Sequence, residues 1–252
     1  MRASLAHRRR RVYERAMGVV AAFVVAVGVA AAGWFVGDGV RSGRPSERFV
    51  TVKGVAERDV NADLALWSLR FVATGDDLVA VQAKSRADAQ RVIEFLIAAG
   101  LPADAVEVQG IEVTDALANP YRSGPVSSRF VVAQTLLLRT TDVDAVAKSS
   151  QRVGDLVDAG VVLSAEGRSG PSYLFTRLND VKPEMIAEAT RRAREGAEQF
   201  ARDAGSRVGG IRRANQGLFQ IQPRDDAPGV REDQQIAKTV RVVSTLDYLL
   251  VD

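Results

Sequence analysis

Cysteine is absent from this 252-residue chain, and histidine occurs once, as His7. Without thiols there is no disulfide, thiolate zinc site, iron–sulfur cluster or cysteine nucleophile. His7 lies in a basic N-terminal arm, so the folded part has no imidazole. That excludes a Ser-His-Asp triad, a His-ligated metal and imidazole acid–base chemistry. Aromatic residues are only 6% of the chain, so Trp67 and Phe71 are read as core rather than as a ligand platform. Phosphate-cradling loops are missing as well: Gly205, Gly209 and Gly210 fit neither G-x-G-x-x-G nor a P-loop, and read as a helix stop and a turn into a strand. What remains is an ordinary globular balance, 46% apolar and 26% charged, which excludes disorder throughout.

The body also lacks a basic excess. Residues 1–16 hold six arginines and one acid, Glu14; the other 236 residues carry 28 basic and 30 acidic side chains. The net charge of +3 therefore comes from the arm, and the body offers no electrostatic attraction to nucleic acid. After the arm, Met17 to Val36 is a 20-residue run without a charge. At about 1.5 Å per residue it is long enough to cross a bilayer core of roughly 30 Å. The arginines place its N-terminal side in the cytoplasm, and Trp34 suits the far interface. We expect a single-pass, uncleaved anchor with the domain exported to the far side of the membrane. The alternative is a cleaved signal peptide with a site in Ala30-Ala31-Ala32, although such apolar regions usually span only ~7–15 residues. Residues 37–47, GDGVRSGRPSE, read as a tether.

Strand and helix signals alternate from residue 48 onward. Strands are expected at Phe49–Val55, Asp63–Ala73, Ala105–Thr114, Ser128–Arg139 and Thr239–Leu250. Shorter strand-like pieces are Val161–Ala165, Ser172–Leu178 and Gly217–Ile221. In Ala105–Thr114 the apolar parity changes at Gly110, which predicts a β-bulge. Apolar residues on both faces of Ser128–Arg139 predict a central strand. Residues 115–127, with Asn119-Pro120 and Gly124-Pro125, read as a loop. Three amphipathic helices are expected: Asp77–Ala99 ending at Gly100, Val143–Asp158 ending at Gly160, and Pro183–Ala204 ending at Gly205. Pro183 is placed in the first turn of the third, whose apolar stripe is Ile186, Ala189, Ala193, Ala197, Phe200 and Ala204. The fold class is α+β: antiparallel sheets with three main helices packed on them, preceded by one transmembrane helix.

Carboxylates are the main acid–base groups left. Asp76-Asp77 is read as a helix cap. Asp225-Asp226 with Glu232-Asp233 lacks the D-x-D-x-D-G spacing of a calcium loop and reads as a solvated loop from Gln222 to Gln235. Arg191, Arg192 and Arg194 with Glu188, Glu195 and Glu198 form a salt-bridged helix face. No catalytic, cofactor-binding or metal residue is assigned, and no cofactor is expected.

Three stretches carry a family resemblance: VTVKGVAERDVNADLALWSLRF with ATGDDL (50–71, 73–78), VKPEMIAEATRRAREGAEQFARDAGSRVGGIRRANQGLFQI (181–221) and KTVRVVSTLDYLLVD (238–252). Over about residues 49–252 the chain resembles the SIMPL-domain family of exported bacterial proteins. Many members have a proline ahead of the second strand's aspartate; here Asn61 stands two positions before Asp63. The resemblance implies an α+β domain in the periplasm or cell envelope, with some members forming large homo-oligomers, and it carries over no catalytic residue. The expected protein is a non-enzymatic, self-assembling or protein-binding module of the envelope, whose partners are the membrane, its own copies and possible envelope proteins. The competing expectation is a carboxylate-based hydrolase or small-ligand binder.

Overall fold

The computed structural model describes residues 25–38, 48–118, 124–164, 170–225 and 227–252. Residues 25–38 form helix α1 and expose their side chains throughout. The expected span from Met17 to Val36 is thus described only in part, since residues 17–24 lie outside the described residues. Among the described residues, no helix is long and apolar enough to cross a membrane. Helix α1 runs through Gly37 and Asp38, where a tether was expected; the rest of the tether, 39–47, also lies outside.

Two antiparallel sheets make up the remainder. Sheet I is organised on β8 (Ala237–Val251), with β1 (Phe49–Asn61) along one side. On the other side β6 (Arg207–Gln216) and β7 (Gln220–Pro223) follow each other end to end. Sheet II has the order β3 (Val106–Asp115), β4 (Phe130–Thr140), β2 (Leu64–Gly75), β5 (Ser172–Leu174). The chain passes from β1 of one sheet to β2 of the other through only Ala62 and Asp63.

Sheet I is covered by α5 (Leu178–Asp203). Every fourth residue of that helix, Met185, Ala189, Ala193, Ala197 and Ala201, is buried, forming one ridge. The ridge packs on Val52, Ala56, Val240, Val242, Leu246 and Tyr248. Small side chains let the backbones approach. A Cβ added to Gly54 on β1 would lie 1.7 Å from the Ala189 carbonyl oxygen and 2.7 Å from the Ala193 nitrogen. Only glycine fits between this strand and this helix.

Sheet II is built from large side chains. Trp67, Leu69 and Phe71 of β2 and Leu136 and Leu138 of β4 pack under Val92 and Leu96 of α2 (Leu78–Ala98). Val146 of α3 (Val143–Gln151) and Leu156 of α4 (Gly154–Asp158) complete the cluster. Asp77 caps α2 by accepting from the Ala80 N–H at 2.8 Å. The three helix-ending glycines, Gly100, Gly160 and Gly205, all have positive φ, the conformation that stops a helix at lowest steric cost. The β-bulge is present, between Val108 and Gly110, and β4 is an interior strand.

Several expected boundaries are corrected. Strand β1 continues six residues past Val55, because its outward Glu57 and Asp59 pair with Arg241 and Thr239 of β8. The expected second helix is two, α3 and α4, where Ser149 and Ser150 turn their hydroxyls back onto the Ala145 and Ala147 carbonyls, a pairing that weakens a helix end. Helix α5 starts at Leu178, so Pro183 lies inside it and, having no N–H, cannot donate to the Asn179 carbonyl. Phe200 is 61% exposed, not part of the buried stripe. Of the two strand-like pieces before α5, only Ser172–Leu174 is a strand; Leu163 makes a single bridge to Phe71, and Ala165 lies outside the described residues.

Candidate functional site

The corner between the sheets gathers a cluster of polar contacts around Asp63. The Asp63 carboxylate accepts from the Thr176 N–H at 2.9 Å, the Thr176 hydroxyl at 3.0 Å and the Arg177 Nε at 3.1 Å. Its own N–H donates to the Leu174 carbonyl, and that of Ala62 donates to the Ile236 carbonyl. One side chain therefore holds the β1–β2 corner to the segment that starts α5. Burial pushes the Asp63 carboxyl up, but the Thr176 and Arg177 hydrogen bonds and the Arg177 charge outweigh it, so it sits below the usual range. Beside it opens a cleft of about 450 Å³ between the end of β1 and the start of α5, with Val60, Phe175 and Val181 as its apolar wall and Arg177 and Asp180 at its rim.

Two smaller clefts lie in the other half. One of about 360 Å³ is lined by Asp142, Asp144, Lys148 and Arg152. Its acids belong to the start of α3: Asp142 accepts from the Ala145 N–H at 3.0 Å, and Asp144 sits in the first turn, where the helix dipole favours negative charge. The other, about 250 Å³, lies over the β3 bulge beside the Arg70–Glu112 ion pair.

Among the acids singled out in the sequence, Asp77 is the α2 cap and Asp76 accepts from the Arg129 N–H. The 222–235 loop is not simply solvated. Lys238, fully buried on β8, donates to the Glu232 carboxylate and carbonyl. Asp233 pairs with Arg231 and Asp225 with Arg224, while Asp226 lies outside the described residues. The expected ion pairs on α5 form, Glu188–Arg192 at 2.6 Å and Arg191–Glu195 at 3.7 Å, and Arg194–Glu198 joins them at 3.1 Å. Trp67 and Phe71 are core. Among the described residues no group of three His, Asp or Glu could hold a metal.

Sequence reasoning missed Asp88. It is fully buried on the sheet-facing side of α2 and accepts from Lys84 and Arg91, each at 2.6 Å. The signal was available: cations at i−4 and i+3 flank an acid lying in phase with Val81, Ser85 and Val92.

These features define a class: a two-sheet α+β domain whose polar residues brace its joints. A family model described as SIMPL, protein of unknown function (DUF541), matches residues 50–245. The chain belongs to the SIMPL family. No curated protein matches it.

Proposed function

We propose that this is a non-enzymatic protein of the bacterial cell envelope, held in the inner membrane by its N-terminal apolar segment and working outside through contacts with its own copies. The observation that carries the self-association is the open edge of sheet II. Strand β3 is ten residues long, pairs on one side only among the described residues, and leaves Val108, Ile111 and Val113 at least half exposed. An exposed apolar edge strand is a template for pairing with another chain. The basic arm and uncharged run before the domain support the anchor.

The mass of the full chain in detergent across a concentration series tests the first part. Multimers that grow with concentration are expected, and a strictly monomeric particle contradicts it. Protease added to intact cells and to cells with a permeabilised outer membrane tests the second. The domain should be cleaved only after permeabilisation, and protection under both conditions would place it in the cytoplasm.

A further inference from the structure

Resting on the self-association just proposed, the structure assigns its surfaces: we infer that the β3 edge of one copy pairs with the β6 edge of a second. The two are opposite in charge. Strand β3 (VEVQGIEVTD) carries three acids and no base, and β6 (RVGGIRRANQ) three arginines and no acid. Both are outer strands of their sheets.

Their spacing also matches. On β3, Glu107 stands opposite Leu137 and Glu112 opposite Ala133, four rungs apart across the bulge. On β6, Arg207 stands opposite Val251 and Arg213 opposite Asp247, again four rungs apart despite two register shifts. Four rungs are about 13–14 Å in either strand. Both charge pairs lie on the sheet faces turned away from the helices. On the helix side run Val106, Val108 and Ile111 of β3, and Val208, Ile211 and Ala214 of β6.

Antiparallel pairing thus seats Glu107 against Arg213 of the second copy and Glu112 against Arg207. In the same register Val106 meets Ala214, Val108 meets Ile211, and Ile111 meets Val208. Gly110 falls near the Gly209-Gly210 pair, and the extra residue of the β3 bulge, Gln109, belongs to the cleft lined by Arg70 and Glu112. Neither Glu107 nor Arg213 makes an ion pair among the described residues. The other long free edge, β1, is guarded: Arg192 of α5 donates to the Val55 carbonyl, and Arg58 is paired with Glu184. A β3–β3 contact is disfavoured, since it would set acids against acids.

Such a contact is head-to-tail, so each copy gives one edge and receives with the other. The test uses the full chain in detergent. Glu107→Arg alone and Arg213→Glu alone should each weaken self-association about tenfold or more. The two variants mixed, or combined in one chain, should recover it. Because the chain has no cysteine, Glu107→Cys mixed with Arg213→Cys should give an oxidised cross-linked dimer that neither gives alone. That readout stands even if a charge reversal perturbs folding. Self-association unchanged by the reversals, or a cross-link from Glu107→Cys alone, overturns these surfaces while leaving self-association intact. A monomeric wild-type chain overturns both.

Discussion

The two halves solve one problem in opposite ways. Each lays a long helix on an antiparallel sheet. In the sheet I half the contact is backbone against backbone, through Gly54 and a ridge of alanines. In the sheet II half it is a filled core of Trp67, Phe71, Leu136 and Leu138. Close approach gains dispersion contact with little side-chain entropy lost, but leaves no room for growth. A large-residue core buries more apolar area and is weakened instead by truncation. The halves should fail under opposite substitutions.

Phe71→Ala should be the most damaging change, removing a fully buried ring and costing about 3–5 kcal/mol in urea unfolding. Gly54→Ala should follow, at about 3 kcal/mol, because α5 must lift from β1 to admit one methyl. An insensitive Gly54 would erase the contrast. Asp88 sharpens the account of the α2 half. Removing this buried acid, as Asp88→Ala, frees two half-exposed cations to water and should cost about 1–3 kcal/mol. Removing both cations, as Lys84→Met with Arg91→Met, strands a buried charge and should cost more.

The smallest effect is at the joint. The Asp63 carboxyl is lowered in the fold, so the folded state binds its proton less readily than the unfolded chain, whose value is about 3.9. Its contribution is complete above that value and is lost as pH falls below it. Asp63→Asn should lower stability most at neutral pH, where the ionised carboxylate contributes, change it least below that value, and so flatten the acid limb of the stability–pH curve. An acid limb of unaltered slope would assign the sensitivity to other carboxylates.

Local patterns were legible in the sequence. Period-2 strands, the Gly110 bulge, the Asp77 cap and the helix-ending glycines each depend on neighbours a few residues away. Other features needed distant partners. The second half of β1 reads as too charged for a strand until Arg241 and Thr239 stand opposite Glu57 and Asp59. Strand β6, with two glycines and three arginines, has weak propensity of its own and exists as a long strand because β8 pairs with it. The start of α5 is not legible, because a proline usually opens a helix and here Pro183 lies inside one. The Asp63 joint spans more than a hundred residues of sequence, and no local spacing signals it. Strand β3 is legible as a strand and β6 is not, but that either is an edge is a property of topology.

Hydrogen exchange of the full chain at low and high protein concentration shows whether the proposed contact runs through the β3 and β6 edges. Amides of β3 and β6 should gain protection together as concentration rises, while those of the guarded β1 edge stay unchanged. Protection that is independent of concentration at both strands, or that rises along β1 instead, would contradict it.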